Sequence, residues 1–240
     1  MDLRNDQIKF TSFKIVVFSG AGMSAESGIN TFRDSNGLWE NHDIHEVATP
    51  KAWKDNPDLV TKFYNQRRKQ IVSAEPNAAH IAIAELGKIA NVFVITQNID
   101  DLHERAGSKN VLHLHGNIRL SKSSGPNAEK KYYPINGTSL SKKDLCPEGY
   151  RLRPHVVWFG EPVPMMEAAT KLITDATHFV VIGSSLQVYP AAGLVDFCPK
   201  EALKWIVDPE AEHISFHSDF RQIRKTAVEG IEQVIKEIKR

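Results

Sequence analysis

Residues 16–28 read Val-Val-Phe-Ser-Gly-Ala-Gly-Met-Ser-Ala-Glu-Ser-Gly, an apolar run that leads directly into glycines and small polar residues. The apolar run predicts a buried strand, and the glycines predict a tight turn followed by the start of a helix. Gly20, Gly22 and Ala25 have the G-x-G-x-x-A spacing of a dinucleotide-binding turn. Such a turn needs a sharp bend, a close approach of backbone to pyrophosphate and close helix packing at these three positions. Because a glycine-rich turn after a strand is often only a turn, the motif alone leaves both interpretations open.

The composition is that of a soluble globular protein with one large domain, or with one domain that carries a small insert. The chain has 240 residues, of which 41% are hydrophobic and 25% are charged. Its formal net charge of +1 gives no reason to expect a nucleic-acid or membrane surface. The two cysteines, Cys146 and Cys198, are too few for a disulfide framework, and the first residues lack an apolar signal region. We therefore expect a cytoplasmic protein. The sequence does not determine the oligomeric state, for which a monomer is our default expectation.

Several apolar strands alternate with helical patterns along the chain. Residues 91–96, 178–182 and 202–207 are apolar runs of strand length, typical of parallel strands that are covered on both faces. With the first strand they predict an α/β fold with a doubly wound, Rossmann-like parallel sheet. Polar or small residues follow these runs, at the edge where open α/β sheets bind ligands. They are Gln97, Asn98, Asp100, Gly183, Ser184, Ser185 and Asp208.

Two histidines, His113 and His115, lie in the sequence Val-Leu-His-Leu-His-Gly. Alternation along a short strand places both on the same side. A histidine at such a place is more often structural than catalytic, so its position alone leaves the role of His115 open.

A helical pattern begins near Pro57 and carries Tyr64 and Arg67 three residues apart, so their side chains project side by side. Arg67, Arg68 and Lys69 form a short basic run, and such runs are usually exposed to solvent. From the local sequence alone, we favour a solvated face over a functional pair.

The second half of the chain contains a segment of different character. Residues 118–151 are polar and rich in turn-forming residues, which predicts a small insert. Strand character returns from Arg153 to Glu161. Near the C-terminus, Gly230 interrupts the pattern and predicts that a final amphipathic helix begins after it.

Six segments, taken in order, resemble the sirtuins, which are NAD-dependent protein-lysine deacylases. They are Gly20-Ala21-Gly22-Met23-Ser24, Gly28-Ile29-Asn30-Thr31-Phe32-Arg33, Thr96-Gln97-Asn98-Ile99-Asp100, His113-Leu114-His115-Gly116, Val156-Val157-Trp158-Phe159-Gly160-Glu161 and Gly183-Ser184-Ser185. The resemblance implies a Rossmann-like domain with a smaller inserted domain, and a cleft between them for NAD and acyl-lysine. It assigns residues 1–30, 77–117 and 155–240 to NAD binding, residues 31–76 to a cofactor loop and helical acyl-pocket module, and residues 118–154 to the insert.

The resemblance also implies a role for each motif residue. In the family, the acyl oxygen of the substrate lysine attacks the anomeric carbon of NAD and displaces nicotinamide. His115 would be the general base for a ribose hydroxyl, while Asn98 and Gln97 would hold ribose hydroxyls and an ordered water. Ile99 and Asp100 would form the nicotinamide pocket, Phe32 would shield the sugar, and Arg33 would order the loop. The remaining cofactor-binding residues would be Gly20, Ala21, Gly22, Ser24, Gly183, Ser184, Ser185 and Asp208.

The match is closest to the sirtuin subclass that removes negatively charged acyl groups, in which a Tyr-x-x-Arg pair and a small alanine form the acyl pocket. Tyr64, Arg67 and Ala48 match these positions, which implies succinyl- and malonyl-lysine hydrolysis alongside deacetylation. A guanidinium can pair bidentately with a succinyl or malonyl carboxylate, whereas an acetyl group offers none. The strand edge offered to the backbone of an acylated protein would comprise Val157, Phe159, Gly160 and Glu161.

The chain departs from the family pattern in two places. Sirtuins usually carry two cysteine pairs that bind a structural zinc, but residues 116–154 contain Cys146 and no second cysteine. One thiolate cannot make a closed tetrahedral site, so we expect no zinc. Asp208 stands where family members often have asparagine near the adenosine ribose, and it still offers an acceptor for ribose hydroxyls. We expect the insert to be held by apolar packing of Tyr132, Tyr133, Ile135, Leu140, Leu145 and Tyr150.

Two other functions stay open from the sequence. NAD-dependent ADP-ribosyl transfer to protein shares the loss of nicotinamide but needs a different acceptor. A non-catalytic NAD or ADP-ribose-binding module would leave His115 structural. Nicotinamide release that depends on an acyl-lysine peptide separates both from a deacylase.

Overall fold

The computed structural model describes residues 12–30, 38–39, 42–214 and 219–240. Phe32 and Arg33, which the family resemblance assigns to the cofactor loop, lie outside the described residues. The strands are β1 (Lys14–Ser19), β2 (Leu38–Trp39), β3 (His42–Asp43), β4 (Asn91–Thr96), β5 (Val111–His113), β6 (Gly116–Ser123), β7 (Tyr132–Pro134), β8 (Leu152–Val156), β9 (His178–Ile182), β10 (Leu203–Val207) and β11 (Arg221–Ile223).

The α-helices are α1 (Ile44–Val47), α2 (Pro50–Asp55), α3 (Pro57–Ser73), α4 (Ala78–Leu86), α5 (Leu102–Arg105), α6 (Met166–Ile173) and α7 (Ala227–Ile238). Short 3₁₀ helices lie at Ala21–Met23, Ala25–Ser27, Ala191–Phe197 and Ala211–His213. Among the helices in the described ranges, none has the length and apolar character needed to span a bilayer.

The main sheet of the described residues has six parallel strands in the order β11-β10-β9-β1-β4-β5. Alternate side chains of β1 enter two apolar clusters, with Ile15 and Val17 on one face and Val16 and Phe18 on the other. α4 and α7 contribute to the first cluster, and α6 contributes to the second. A sheet covered on both faces accounts for the unbroken apolar run of β1. The predicted doubly wound parallel sheet is confirmed.

The strand order reverses at β1, which pairs with β4 on one side and with β9 on the other. Open α/β sheets bind ligands outside the carboxyl ends of the strands at such a switch point. Because the strands are parallel, the segments that follow β1, β4, β5, β9 and β10 all begin at this edge. The fold therefore gathers the sequence motifs at one place.

The insert contains a small antiparallel sheet in the order β7-β6-β8. Its core comprises Ile135, Leu140, Cys146 and Leu152, with Tyr133 packed against them. Leu145 and Tyr150, which the sequence places in this core, are 53% and 45% exposed, so that part of the prediction is wrong. They flank a turn that the Cys146 N–H closes on the Tyr150 carbonyl at 2.8 Å. Tyr132 instead stacks on His155 with ring centroids 3.8 Å apart.

Two polar side chains of α3 fasten the helix to the insert. Arg68 is fully buried and donates from Nε to the Ile118 carbonyl and from Nη1 to Asn65 Oδ1, both at 2.7 Å. Asn65 in turn bonds the backbone N–H and carbonyl of Leu140 at 2.9 and 2.8 Å. The prediction of a solvated basic face is therefore wrong for Arg67 and Arg68, which are 5% and 0% exposed.

Replacement of Arg68 by methionine is expected to lower the free energy of unfolding by about 3 kcal/mol. Methionine keeps much of the apolar stem but leaves buried acceptors of Ile118 and Asn65 without their donor. Denaturant unfolding measures the change. Lys69→Met, at the exposed neighbouring position, is the matched control and should differ from the wild type by no more than about 0.5 kcal/mol. Equal stability of the two variants would contradict a fastening role for Arg68.

The final helix begins before Gly230, not after it as the local sequence predicts. α7 is capped by Thr226, whose hydroxyl accepts from the Glu229 N–H, and it continues through Gly230. A Cβ at Gly230 would lie 2.2 Å from Val207 Cγ1. The glycine thus permits close packing of the helix on β10, and the prediction that it ends one pattern and begins another is wrong.

Candidate active site

The turn after β1 is built from two consecutive 3₁₀ helices, Ala21–Met23 and Ala25–Ser27. Gly28, at φ +81°, ends the second in the left-handed conformation. The helix start that the sequence predicts is therefore present only as these two short 3₁₀ helices. Ala25 is exposed, so the close helix packing predicted at this position is wrong.

The two glycines of the turn serve a contact between loops. A Cβ on Gly20 would lie 2.6 Å from the Gly183 carbonyl oxygen, and a Cβ on Gly22 would lie 2.8 Å from Gly183 Cα. The Gly22 N–H donates to the Gly183 carbonyl at 2.8 Å. The segment after β9 approaches the turn so closely that both positions must be glycine. Ala21 lies between them at the carboxyl edge of the sheet.

Three predicted site residues from two loops form a hydrogen-bonded group. Ser24 Oγ donates to Asp100 Oδ2 at 3.0 Å and accepts from Asn98 Nδ2 at 3.0 Å. Burial raises the pKa of Asp100, while hydrogen bonds from the Leu102 N–H and from Ser24 oppose that rise. Each carboxylate oxygen has two acceptor sites, so Asp100 keeps capacity for a further donor such as a carboxamide.

A second group joins the segments after β4 and β9. Gln97 Nε2 donates to Ser184 Oγ at 2.9 Å, and the Leu186 N–H donates to the same oxygen at 3.3 Å. Ser185, the next residue, is half-buried. Asp208, at the end of β10, is 3% exposed and accepts from the Glu210 N–H at 2.9 Å.

The sequence reasoning missed a set of buried polar residues that bond one another and the backbone of the loop after β4. Ser19 Oγ donates to Thr96 Oγ1 at 2.9 Å and lies 3.0 Å from His103 Nε2. Thr96 Oγ1 also accepts from the Asn98 N–H at 3.0 Å. The available signal was that Ser19 and Thr96 are polar residues directly after four apolar residues of their strands.

His115 lies two residues after the end of β5, with its Nδ1 3.0 Å from the Gln97 carbonyl oxygen. A carbonyl only accepts hydrogen bonds, so Nδ1 carries the proton and Nε2 is the basic nitrogen of the neutral ring. Burial lowers the pKa of His115, which keeps the ring neutral at physiological pH. The geometry therefore suits a general base.

Two of the three predicted acyl-pocket residues, Ala48 and Tyr64, lie in one apolar cluster with Ile99 of the loop after β4. Ala48, Tyr64, Ile99 and Trp158 all belong to it and are 9% exposed or less. Trp158 Nε1 donates to the Tyr64 hydroxyl at 3.1 Å. Burial raises the pKa of Tyr64, so the phenol stays protonated and can donate. Arg67, one helical turn on, is 5% exposed.

The segment predicted as a substrate-binding strand is largely a loop. β8 ends at Val156, so the prediction that strand structure reaches Glu161 is wrong. The Val157 N–H donates to the His115 carbonyl at 2.9 Å, and the Phe159 N–H donates to the Ala48 carbonyl at 3.0 Å. These bonds connect the loop to the proposed base and to the acyl pocket.

Glu161 holds this loop in place. Its carboxylate accepts two bonds from Arg153, at 2.7 and 2.9 Å, and one from the Trp158 N–H at 2.9 Å. The Arg153 guanidinium carbon lies 3.3 Å from the centroid of a Trp158 ring. Phe159 is 45% exposed and Gly160 adopts φ +90°. A role of this loop in peptide binding stays a prediction.

The family resemblance implies two bound groups, NAD and a structural zinc ion. The residues of this chain suit NAD but not zinc. Hydroxyls, amides and carboxylates at the switch point suit the ribose and carboxamide groups of a dinucleotide. The insert does not suit zinc, because Cys146 is buried and accepts from Ser123 Oγ at 3.4 Å without a second thiolate nearby in sequence. Within the described ranges, no group of three or more His, Cys, Asp or Glu residues could hold a metal ion.

Comparison with known proteins agrees with this geometry. The model of the Sir2 family matches residues 20–190. A relative from Helicobacter pylori (strain ATCC 700392 / 26695), named NAD-dependent protein deacylase, is 47% identical over 222 residues, which cover 92% of this chain and 95% of the relative.

Solved structures are similar over nearly the whole chain. The crystal structure of a Sir2 homologue in complex with NAD has a TM-score of 0.81 and 35% identity, covering 99% of this chain and 94% of the other. A triple mutant of a Sir2 homologue in complex with 2′-O-acetyl-ADP-ribose has a TM-score of 0.81 and 35% identity, covering 99% and 96%. The chain therefore belongs to the Sir2 family, the sirtuins, together with these NAD-dependent proteins.

Proposed function

We propose that this sirtuin is an NAD-dependent protein-lysine deacylase that removes succinyl and malonyl groups as well as acetyl groups. The products are nicotinamide, 2′-O-acyl-ADP-ribose and free lysine. The deacylase activity is supported by the relative named for it and by the product-like ligand in a similar structure. The preference for acidic acyl groups rests on Tyr64 and Arg67.

The observation that carries this preference is the burial of Tyr64 and Arg67 three residues apart on α3, with Tyr64 in the apolar cluster that holds Ile99. Tyr64 and Arg67 are 0% and 5% exposed, and Tyr64 and Ile99 share the cluster. A guanidinium in such surroundings forms strong bidentate bonds with a carboxylate. Ala48, also in the cluster, leaves room that a larger side chain would fill.

The chain's own residues supply the rest of the chemistry. Bound NAD supplies a cationic nicotinamide leaving group on its anomeric carbon. His115 Nε2 accepts a proton from a ribose hydroxyl, since Nδ1 is committed to the Gln97 carbonyl. Asn98 and Asp100 are held by Ser24, so their polar groups are oriented before NAD binds.

Nicotinamide release with succinyl-lysine, acetyl-lysine and no peptide tests the proposal. We expect release only when an acyl-lysine peptide is present, with the 2′-O-acyl product identified by mass spectrometry. Release without peptide, together with ADP-ribose on a protein acceptor, would favour ADP-ribosyl transfer. No release with NAD bound would favour a binding module.

The remaining expectations about partners and location stay proposals. The substrates would be acyl-lysine proteins, without a nucleic-acid or membrane partner, in the cytoplasm. Fractionation of cells followed by detection of the protein tests the location, and sedimentation tests the expected monomer.

A further inference from the structure

Two histidines of one short segment hold two successive carbonyls of the loop after β4. His113 Nδ1 lies 3.0 Å from the Asn98 carbonyl oxygen, and His115 Nδ1 lies 3.0 Å from the Gln97 carbonyl oxygen. Between them, the Leu114 N–H donates to the Thr96 carbonyl at 2.9 Å. Residues 113–115 therefore each contact a backbone carbonyl of residues 96–98.

The second ring nitrogens distinguish the two histidines. His113 Nε2 lies 2.7 Å from Glu104 Oε1, so both of its nitrogens face acceptors, and an imidazole with two acceptors carries two protons. Asn117 Nδ2, a donor, lies farther from the same Nε2, at 3.4 Å, so the Glu104 carboxylate is the nearer partner of that nitrogen. Burial opposes a cationic ring, but the hydrogen bond and charge of Glu104, with smaller contributions from the Asn98 carbonyl and Asp100, outweigh it and raise the pKa of His113. His115, by contrast, is a neutral base.

His113 also connects the start of the loop after β4 to the helix that follows the loop. Asn98 is followed by Ile99, Asp100 and Asp101, and the chain then enters α5, which carries Glu104. His113 joins the two ends, because one nitrogen contacts the Asn98 carbonyl and the other contacts Glu104. The side chain of His113 is 12% exposed and that of Glu104 is 39% exposed.

The carbonyl that His113 holds belongs to the peptide plane between Asn98 and Ile99. Fixing this plane orients the Asn98 side chain, which bonds Ser24, and the start of the Ile99–Asp100 segment. A misplacement of about 1 Å at a catalytic loop lowers rates by about 100-fold. A residue that fixes this plane therefore affects turnover without touching the substrate.

We propose that His113 and Glu104 form a positioning pair: the imidazolium of His113 bridges the Asn98 carbonyl and the Glu104 carboxylate and so fixes the NAD-cleaving loop. The proposal rests on the proposed function in that Asn98 is taken to contact NAD. It assigns His113 no contact with the reacting atoms.

Two substitutions of His113 separate its two bonds. The amide nitrogen of asparagine lies near the place of Nδ1, and that of glutamine lies near the place of Nε2. His113→Asn keeps a donor for the Asn98 carbonyl, whereas His113→Gln keeps a donor only for Glu104. With an acetyl-lysine peptide, we expect His113→Asn to keep kcat within about threefold of the wild type and His113→Gln to lose about tenfold, at an unchanged KM for peptide.

The remaining variants and readouts make the outcomes decisive. Glu104→Gln should lower kcat less than His113→Gln, and Glu85→Gln, in an exposed pair with Lys88 on α4, should leave kcat unchanged. Equal losses in the two His113 variants, a larger loss in His113→Asn, or no loss in either would overturn the proposal. The ¹⁵N spectrum of the His113 ring tests the proposal independently of activity. We expect an imidazolium at neutral pH, and a neutral ring would overturn the proposal. Absence of acyl-lysine-dependent turnover in the wild type would instead contradict the proposed function.

Discussion

Replacing His115 with alanine is expected to lower kcat/KM for deacylation by about 10²–10⁴-fold, the contribution of a positioned general base. The ring is oriented by one hydrogen bond from Nδ1 to the Gln97 carbonyl, and alanine provides no group to accept a proton from a ribose hydroxyl. Nicotinamide release with an acyl-lysine peptide is the measurement.

NAD binding by the His115 variant is the necessary control. Because the Ser24, Asn98 and Asp100 group does not include His115, calorimetry should find NAD affinity within about threefold of the wild type. His213→Ala, at a side chain that is 70% exposed, should turn over normally. A His115→Ala protein that retained full activity would show that the base is a different group.

The pH profile follows from the same histidine. Burial lowers the pKa of His115, and only the neutral ring can accept a proton. Activity is therefore retained as pH falls through about 6.5, the ordinary histidine value, and is lost only below it. An acid limb above this value would contradict the assignment.

Replacing Arg67 with methionine is expected to lower kcat/KM for a succinyl-lysine peptide by about 100-fold, or ~2.7 kcal/mol. Arg67 is 5% exposed, so a carboxylate that reached this buried position would lose water without gaining its bidentate partner. Activity on an acetyl-lysine peptide should change by less than about threefold, because acetyl has no charge to pair.

The controls for Arg67 separate charge from folding. Lys69→Met removes a cation from the same helix at an exposed position and should affect neither substrate. Arg67→Lys keeps the charge but not the planar fork, and should recover part of the loss. If desuccinylation by Arg67→Met fell no further than deacetylation, the acyl-pocket assignment would be wrong.

The sheet could be predicted from sequence because its strands are short apolar runs bounded by small or polar residues. Residues 91–96 and 178–182 form β4 and β9 with the predicted bounds. Their burial on both faces requires this apolarity, and parallel pairing brings their carboxyl ends together. The convergence of Ser24, Gln97, Asn98 and Asp100 at one edge follows from topology, because these residues come after the neighbouring parallel strands β1 and β4.

Features that depend on tertiary packing could not be predicted from the local sequence. Arg68 looks like part of a charged surface, but α3 packs on the insert, where carbonyls of the insert become its acceptors. Gly230 resembles a helix breaker, but its missing Cβ admits Val207. Ala25 fits a motif whose helix does not form here, since two 3₁₀ helices occupy the turn.

The proposed function requires that Tyr64 and Arg67 recognise a negative charge on the acyl group. The most direct measurement compares kcat/KM of the wild-type enzyme for one peptide carrying succinyl-lysine and for the same peptide carrying succinamyl-lysine, its neutral amide of equal size. We expect a preference for succinyl of about tenfold or more. Equal values, or a preference for the amide, would contradict it.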